Sequence, residues 1–232
     1  GVAPDAGEVA ADPASFMIGT SIGAPPDPFS AAGQVWNLPP FNPLALERTG
    51  ATSFAEIIDA NMRHAGVLRV DHILGMSRLF VVPAGAPAAA GAYLNQPADL
   101  LFAVLAEASH RHRTSVIGED LGTVPDGLAA RLRQERILSY RVLWFERDGT
   151  RFRSPSDYPA EAAACLSTHD LPTLRGWLGG RDIEIEQALG RIDAATAAER
   201  VSRRTTEVAT LRAFARQESN EPIELAAAVH AT

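Results

Sequence analysis

The sequence predicts an α/β fold in which short strands alternate with longer helices, as βα units that build a parallel sheet. Three observations lead to that expectation. Short apolar, β-branched runs recur at 67–73, 115–121, 140–146 and, more weakly, 162–167. Segments of helical period stand between them, the clearest at 97–111 with Leu100, Leu101, Val104 and Leu105 on one face. Three of the four strands end in a carboxylate beside a turn, at Asp71, Glu119 and Asp170.

Taken in order, the elements start with a helix over about 53–65. Ser53 is its expected N-cap and Glu56, three residues on, completes a capping box. The strand 67–73 (VLRVDHI) follows, then the helix 97–111, the strand 115–121 (SVIGEDL) and a helix over about 126–136 with Asp126 as its cap. The strands 140–146 and 162–167 come next, and from residue 183 onward the chain reads as helix almost throughout. Two stretches resist this scheme. Residues 22–43 are rich in proline and aromatic side chains, and 83–97 are rich in alanine and glycine, so both read as long loops. Loops of that length within a domain are usually functional or disordered, and Phe29, Trp36 and Phe41 argue for function in the first. The expected division is a loop region over 15–50, core βα units over 51–182 and a helical tail over 183–232.

Composition narrows the class of protein. The chain has 232 residues and a formal charge of −7, from 28 acidic groups against 21 basic ones, all of them arginine. An acidic chain without a basic stripe is a poor nucleic-acid binder. The single cysteine, Cys165, excludes a disulfide scaffold and a thiolate zinc cluster, and is expected to be inert on a buried strand. No apolar run approaches the ~20 residues of a membrane span. The first residues lack the basic and apolar regions of a signal peptide, so a soluble, cytoplasmic protein is expected.

The carboxylates suggest chemistry. In a βα-barrel the C-terminal strand ends face one mouth, where active sites lie. Glu119 follows Asp71 by 48 positions and Asp170 follows Glu119 by 51, room for one or two βα units each. One carboxylate at a strand end is usually a turn or cap residue, and Asp120 is read that way. Three, two of them beside His72 and His169, point to a site. Two chemistries fit. A retaining glycosidase-type displacement uses one carboxylate as nucleophile and another as acid/base, about 5–5.5 Å apart. Alternatively, three carboxylates could hold Mg²⁺, with His72 or His169 as base, since the chain has no lysine.

These residues lie in longer motifs. In order they are GAPPDPFS from Gly23, GQVW from Gly33, LRVDH from Leu68, VPAG from Val82, VIGEDLGTV from Val116 and STHDLPTLRGW from Ser167. Together, over roughly 18–177, they resemble the 4-α-glucanotransferase (amylomaltase) family of α-amylase-like glycoside hydrolases. The resemblance implies a (β/α)8 TIM barrel and transfer of α-1,4-glucan segments by a retaining double displacement. It implies α-1,4-glucans such as maltooligosaccharides as partners and neither a metal nor an organic cofactor.

In that family pattern Asp71 would be the nucleophile, Glu119 the general acid/base and Asp170 the transition-state stabiliser. Arg69 would hold the nucleophile ionised, and His72 and His169 would donate hydrogen bonds to the donor sugar. The loop bearing Asp27, Phe29, Gln34 and Trp36 would form part of the acceptor-side wall, although Trp36 reads equally well as a packing residue. Phe29 is expected to be exposed, and Trp144 and Trp177 to belong to the core. The sequence departs from the pattern at Asn37, where many relatives have glycine, and at Pro28, where others carry a bulkier residue. Counted against the family's eight strands, about four are expected here. The expectation is then a partial barrel, inactive or weakly stable without the missing barrel segments.

Overall fold

The computed structural model describes residues 2–27, 30–215 and 222–231. The chain divides into two units, Gly1–Ser139 and Tyr140–Thr232.

The first unit contains the expected βα pattern and a small antiparallel sheet that the sequence reading missed. Helices α1 (Gly7–Ala11), α2 (Pro43–Thr49) and α3 (Thr52–Met62) precede strand β3 (Val67–Val70), and α4 (Ala98–His112) leads into β6 (Ser115–Gly118). Strands β3 and β6 pair in parallel, with Val67 opposite Ser115 and Val70 opposite Gly118. The next strand position continues the order, because Ile117 bridges Leu138 in parallel. Helix α5 (Leu128–Gln134) makes the crossover between them. Leu101, Phe102 and Leu105 of α4 pack with Ile58 and Met62 of α3 and with Val116 of β6. Each such fully buried side chain contributes ~1.5–3 kcal/mol.

The proline-rich stretch 22–43 and the alanine-rich stretch 83–97 are not simply loops. They supply three of the four strands of a sheet ordered β2–β1–β4–β5, made of β1 (Thr20–Ala24), β2 (Gln34–Val35), β4 (Arg78–Pro83) and β5 (Ala92–Asn95). Strand β1 runs antiparallel to β2 and β4, and β5 runs antiparallel to β4. Gly23 makes the first pairing possible, since a Cβ there would lie 2.1 Å from the Gln34 carbonyl oxygen.

Two expected caps are corrected. Helix α3 is preceded by Ala51 in the left-handed region (φ 58°), with no side-chain cap. The Ser53 hydroxyl instead donates to Asp12 Oδ2 (2.6 Å) and lies 3.1 Å from Ser15 Oγ. A tertiary partner has outcompeted the local one, which is worth only ~1 kcal/mol. Likewise Gly127 (φ 81°), not Asp126, precedes α5, because the chain enters that helix through a conformation only glycine adopts without strain. Helix α2 follows the usual rules: Asn42 Oδ1 accepts from the Leu44 N–H (3.1 Å), Pro43 opens the helix, and Gly50 closes it at φ 65°.

In the second unit β7 (Ser139–Val142) pairs with β10 (Ala162–Cys165), and a two-residue hairpin, β8 (Arg147–Asp148) with β9 (Arg151–Phe152), lies between them in sequence. The helical region is broken into α6 (Leu174–Leu178), α7 (Arg181–Ala188), α8 (Ala194–Ala215) and α9 (Pro222–Ala231). Trp177, Leu211, Leu225 and Val229 form the core with Leu143 and Phe152. Trp177 is buried and stacks on the half-buried Trp144 (centroids 4.4 Å apart), as expected of core residues. Arg204 of α8 grips Asp182 of α7 through two bonds of 2.9 and 2.7 Å and lies over the Trp177 ring.

Candidate active site

Strand β3 stops at Val70, so Asp71 is the first residue of the turn that follows; β6 stops at Gly118, and Glu119 follows it in the same way. Because Val70 and Gly118 are register partners, Asp71 and Glu119 leave neighbouring strands at the same level. Parallel strands lie ~4.8 Å apart, so the two carboxylates emerge side by side.

The turn itself holds Glu119. Its backbone N–H donates to the Val70 carbonyl (2.9 Å), and its own carbonyl accepts from the Ile73 N–H (3.0 Å). The carboxylate is held at both oxygens by main-chain donors: His72 N–H to Oε2 at 2.9 Å and Leu121 N–H to Oε1 at 2.8 Å. Burial raises the Glu119 pKa above the ordinary carboxylate value; the Leu121 and His72 N–H groups and Arg69 oppose that rise, and Asp71 adds to it. Arg69, two residues before Asp71 on the same strand face, binds Asp71 Oδ1 through Nη1 at 2.6 Å. Asp71 is exposed and Arg69 half-buried.

His72 takes the left-handed conformation (φ 46°, ψ 56°), which turns the chain out of β3 and aims its N–H at Glu119. Its pKa is lowered, chiefly by burial, with Asp71 pulling the other way. Trp36 packs edge-on against its ring, centroids 5.2 Å apart, and donates from Nε1 to Gln34 Oε1 (2.8 Å). Asp27 is exposed and its Oδ1 accepts from the Ser30 N–H (2.6 Å), closing a short turn. Phe29, expected in the same wall, lies outside the described residues, as does Pro28. Asn37 has φ 59°, a region open to glycine and, among other residues, most readily to asparagine, and its N–H donates to Ser21 Oγ.

The first unit therefore brings Asp71, Glu119, Arg69, His72, Trp36 and Gln34 into one group. Asp170 and His169 belong to the second unit, in the turn after β10. There the Asp170 N–H donates to Thr168 Oγ1 (3.2 Å) and His169 Nε2 lies 3.3 Å from Asp170 Oδ2, both side chains exposed. Asp120, read as a turn or cap residue, accepts from Ser139 Oγ at 2.5 Å, a partner 19 positions away. Among the described residues no three His, Cys, Asp or Glu side chains converge as a metal site, and no helix is long and apolar enough to cross a membrane. Sequence reasoning missed the main-chain donors at His72 and Leu121, which leave no side-chain signature. It also missed Gly118, where a Cβ would come within 2.7 Å of Ile73 and 3.1 Å of Ile137.

Carboxylates at the adjacent C-terminal ends of parallel strands occupy the position where the active sites of βα-barrels lie. Residues 1–231 match the profile of the 4-alpha-glucanotransferase family, glycoside hydrolase 77, and the chain belongs to that family. The match extends past the motif-bearing stretch into the helical tail. A 4-alpha-glucanotransferase of Haemophilus influenzae is 46% identical over 183 residues, covering 79% of this chain and 26% of the relative. The fold is that of amylomaltase from Corynebacterium glutamicum, with a TM-score of 0.85 and 30% identity over 96% of this chain and 32% of that one. Amylomaltase from Streptococcus agalactiae, solved with acarbose, shares the fold at a TM-score of 0.73 and 22% identity, covering 96% and 42% of the two chains. The chain thus spans about a quarter to two fifths of the length of these relatives, and a partial barrel is the fold these proportions support.

Proposed function

We propose that this chain carries the catalytic carboxylates of a 4-α-glucanotransferase, which moves a segment of an α-1,4-glucan to the 4-position of an acceptor glucan or glucose. The observation that supports this best is the pairing of Asp71 and Glu119 at one level of adjacent strands, with different environments: one exposed and ion-paired, the other half-buried and held by main-chain donors.

Asp71 attacks the anomeric carbon and forms the covalent glucosyl-enzyme, while Arg69 orients its carboxylate. Glu119, with its raised pKa, keeps a proton for the departing sugar's oxygen and then takes one from the acceptor hydroxyl. The spacing of adjacent strands suits the ~5–5.5 Å separation of retaining enzymes. Asp170 grips the donor sugar's hydroxyls as the oxocarbenium-like transition state forms, and His72 and His169 donate to the same sugar. Asp27, Phe29, Gln34 and Trp36 line the acceptor side, where an occupying glucan keeps water from the intermediate. The chemistry calls on no cofactor, and a cytoplasmic location is part of the same proposal.

Incubation of the chain with maltotriose, alone and joined to the remaining barrel segments, tests the reading: glucose together with glucans longer than maltotriose is expected only from the joined enzyme, and products no longer than the substrate would mean hydrolysis instead. Asp71→Asn should abolish transfer, by at least ~10³-fold, while leaving glucan binding measurable by calorimetry. Transfer persisting in that variant would rule out Asp71 as nucleophile.

A further inference from the structure

We infer that Trp36 is a positioning residue for Glu119: its indole covers His72, and that cover keeps water and positive charge away from the carboxyl group that His72 holds. The inference rests on the proposed role of Glu119 and goes beyond any contact Trp36 makes with an acceptor.

The indole is fixed at two points. Its main-chain N–H donates to the Ile22 carbonyl of β1 (2.9 Å), and its ring N–H donates to Gln34 (2.8 Å). It meets the His72 ring edge-on at 83°. Gly75 also lies close to that ring, where a Cβ would come within 3.3 Å of His72 Cδ2, and His72 is half-buried. The main chain of His72 does not depend on Trp36. Its carbonyl accepts from the Gly75 N–H (2.8 Å), and the following Ile73 N–H is bound by Glu119. Removing the indole therefore leaves the His72 N–H on Glu119 and changes what surrounds it.

The charged groups around His72 are few. Asp71 favours its imidazolium form, Arg69 is paired with Asp71, and Glu119 sits at its N–H. Gln34 of β2 is neutral, and Ile73, Leu74, Met76 and the neighbouring Leu79 are apolar. Asp120, next to Glu119, is engaged by Ser139. Burial thus holds the imidazole's pKa below its ordinary value, so it stays neutral to a lower pH, and a neutral neighbour favours a protonated Glu119. With Trp36 gone, His72 takes a proton more readily and Glu119 is better hydrated. Both changes favour the carboxylate, so Glu119 titrates at lower pH.

The experiment compares Trp36→Ala and Trp36→Phe with the unmodified protein, each joined to the remaining barrel segments. Glu119 is titrated by carbon-13 NMR of labelled glutamate, its resonance assigned with Glu119→Gln, and the pH dependence of maltotriose transfer is measured alongside. Trp36→Ala is expected to move the Glu119 midpoint and the alkaline limb of the rate profile down together, and Trp36→Phe to leave both near their original place. Each unit of that fall lowers the protonated fraction on the alkaline side about tenfold. An unmoved or raised midpoint in Trp36→Ala, with only KM increased, overturns the inference. Gln34→Ala unpins the indole without removing it and should give the same downward shift where Trp36→Ala does not fold. If no protein transfers glucan, the transferase reading fails, while the NMR titration still decides the role of Trp36.

Discussion

At Glu119 burial and hydrogen bonding pull in opposite directions. Two main-chain N–H groups favour the anion, yet burial outweighs them and the carboxyl holds its proton above the ordinary range. His72, whose main-chain N–H donates to Glu119, is displaced the other way: burial lowers it from the usual value of 6.5. The unfolded chain therefore binds a proton at His72 at a pH where the native protein does not. Its contribution to stability is complete above 6.5 and is lost as pH falls through the native value. In His72→Asn, a residue that tolerates the left-handed conformation, the fall in melting temperature from pH 7.5 to pH 5 should be shallower than in the unmodified protein. Equal slopes in a calorimetric series would show that the imidazole is not the titrating group. His72 and Glu119 were both singled out by their motifs. The main-chain bond between them was not, because donors on the backbone have no residue identity to read.

Among the elements, the parallel pair β3 and β6 was legible because each is a short run rich in β-branched and apolar residues between segments of helical period. Strands β1, β2, β4 and β5 were not. Gln34–Val35 is two residues long, and Thr20–Ala24 runs into the prolines that follow it, so neither shows a period. Their pairing depends on small residues that admit close backbone approach. Gly23→Ala should separate β1 from β2, since the added methyl would lie 2.1 Å from the Gln34 oxygen. The expected cost is about 1–3 kcal/mol in urea denaturation, with weakened transfer because Trp36 follows β2 directly. A variant as stable and active as the original would mean that the hairpin does not position Trp36. The mistaken caps teach the same lesson from the helix side. Ser53 carries the right side chain for a cap but is claimed by Asp12, 41 positions away in the sequence.

At the scale of the whole molecule, each unit has an apolar cluster of its own. The first centres on Phe102 and Leu105, the second on Trp177 and Leu211. The tryptophans divide between them, with Trp36 in the first unit and Trp144 and Trp177 in the second. Leu105→Ala and Leu211→Ala should each cost ~2–5 kcal/mol, since both side chains are about 1% exposed or less. Fluorescence-detected unfolding of variants retaining tryptophan in one unit only would assign each loss to its unit. A loss below about 1 kcal/mol at either position would mean that the core there tolerates a cavity by collapse.

The sequence by itself determined the parallel βα class, the helices α3 to α5, the three carboxylates at strand ends and, through its motifs, the family. These follow from local periodicity and from chemistry that must stand at particular positions. Only the tertiary structure decided that Asp71 and Glu119 leave their strands at one level, because register belongs to a pair of strands and is written in neither. The tertiary structure also placed Trp36 against His72, 36 positions apart in the chain. It buried Glu119 against two main-chain donors and so separated its environment from that of Asp71. A carboxylate is the same residue type in water and under an imidazole; its proton affinity depends on which of the two surrounds it.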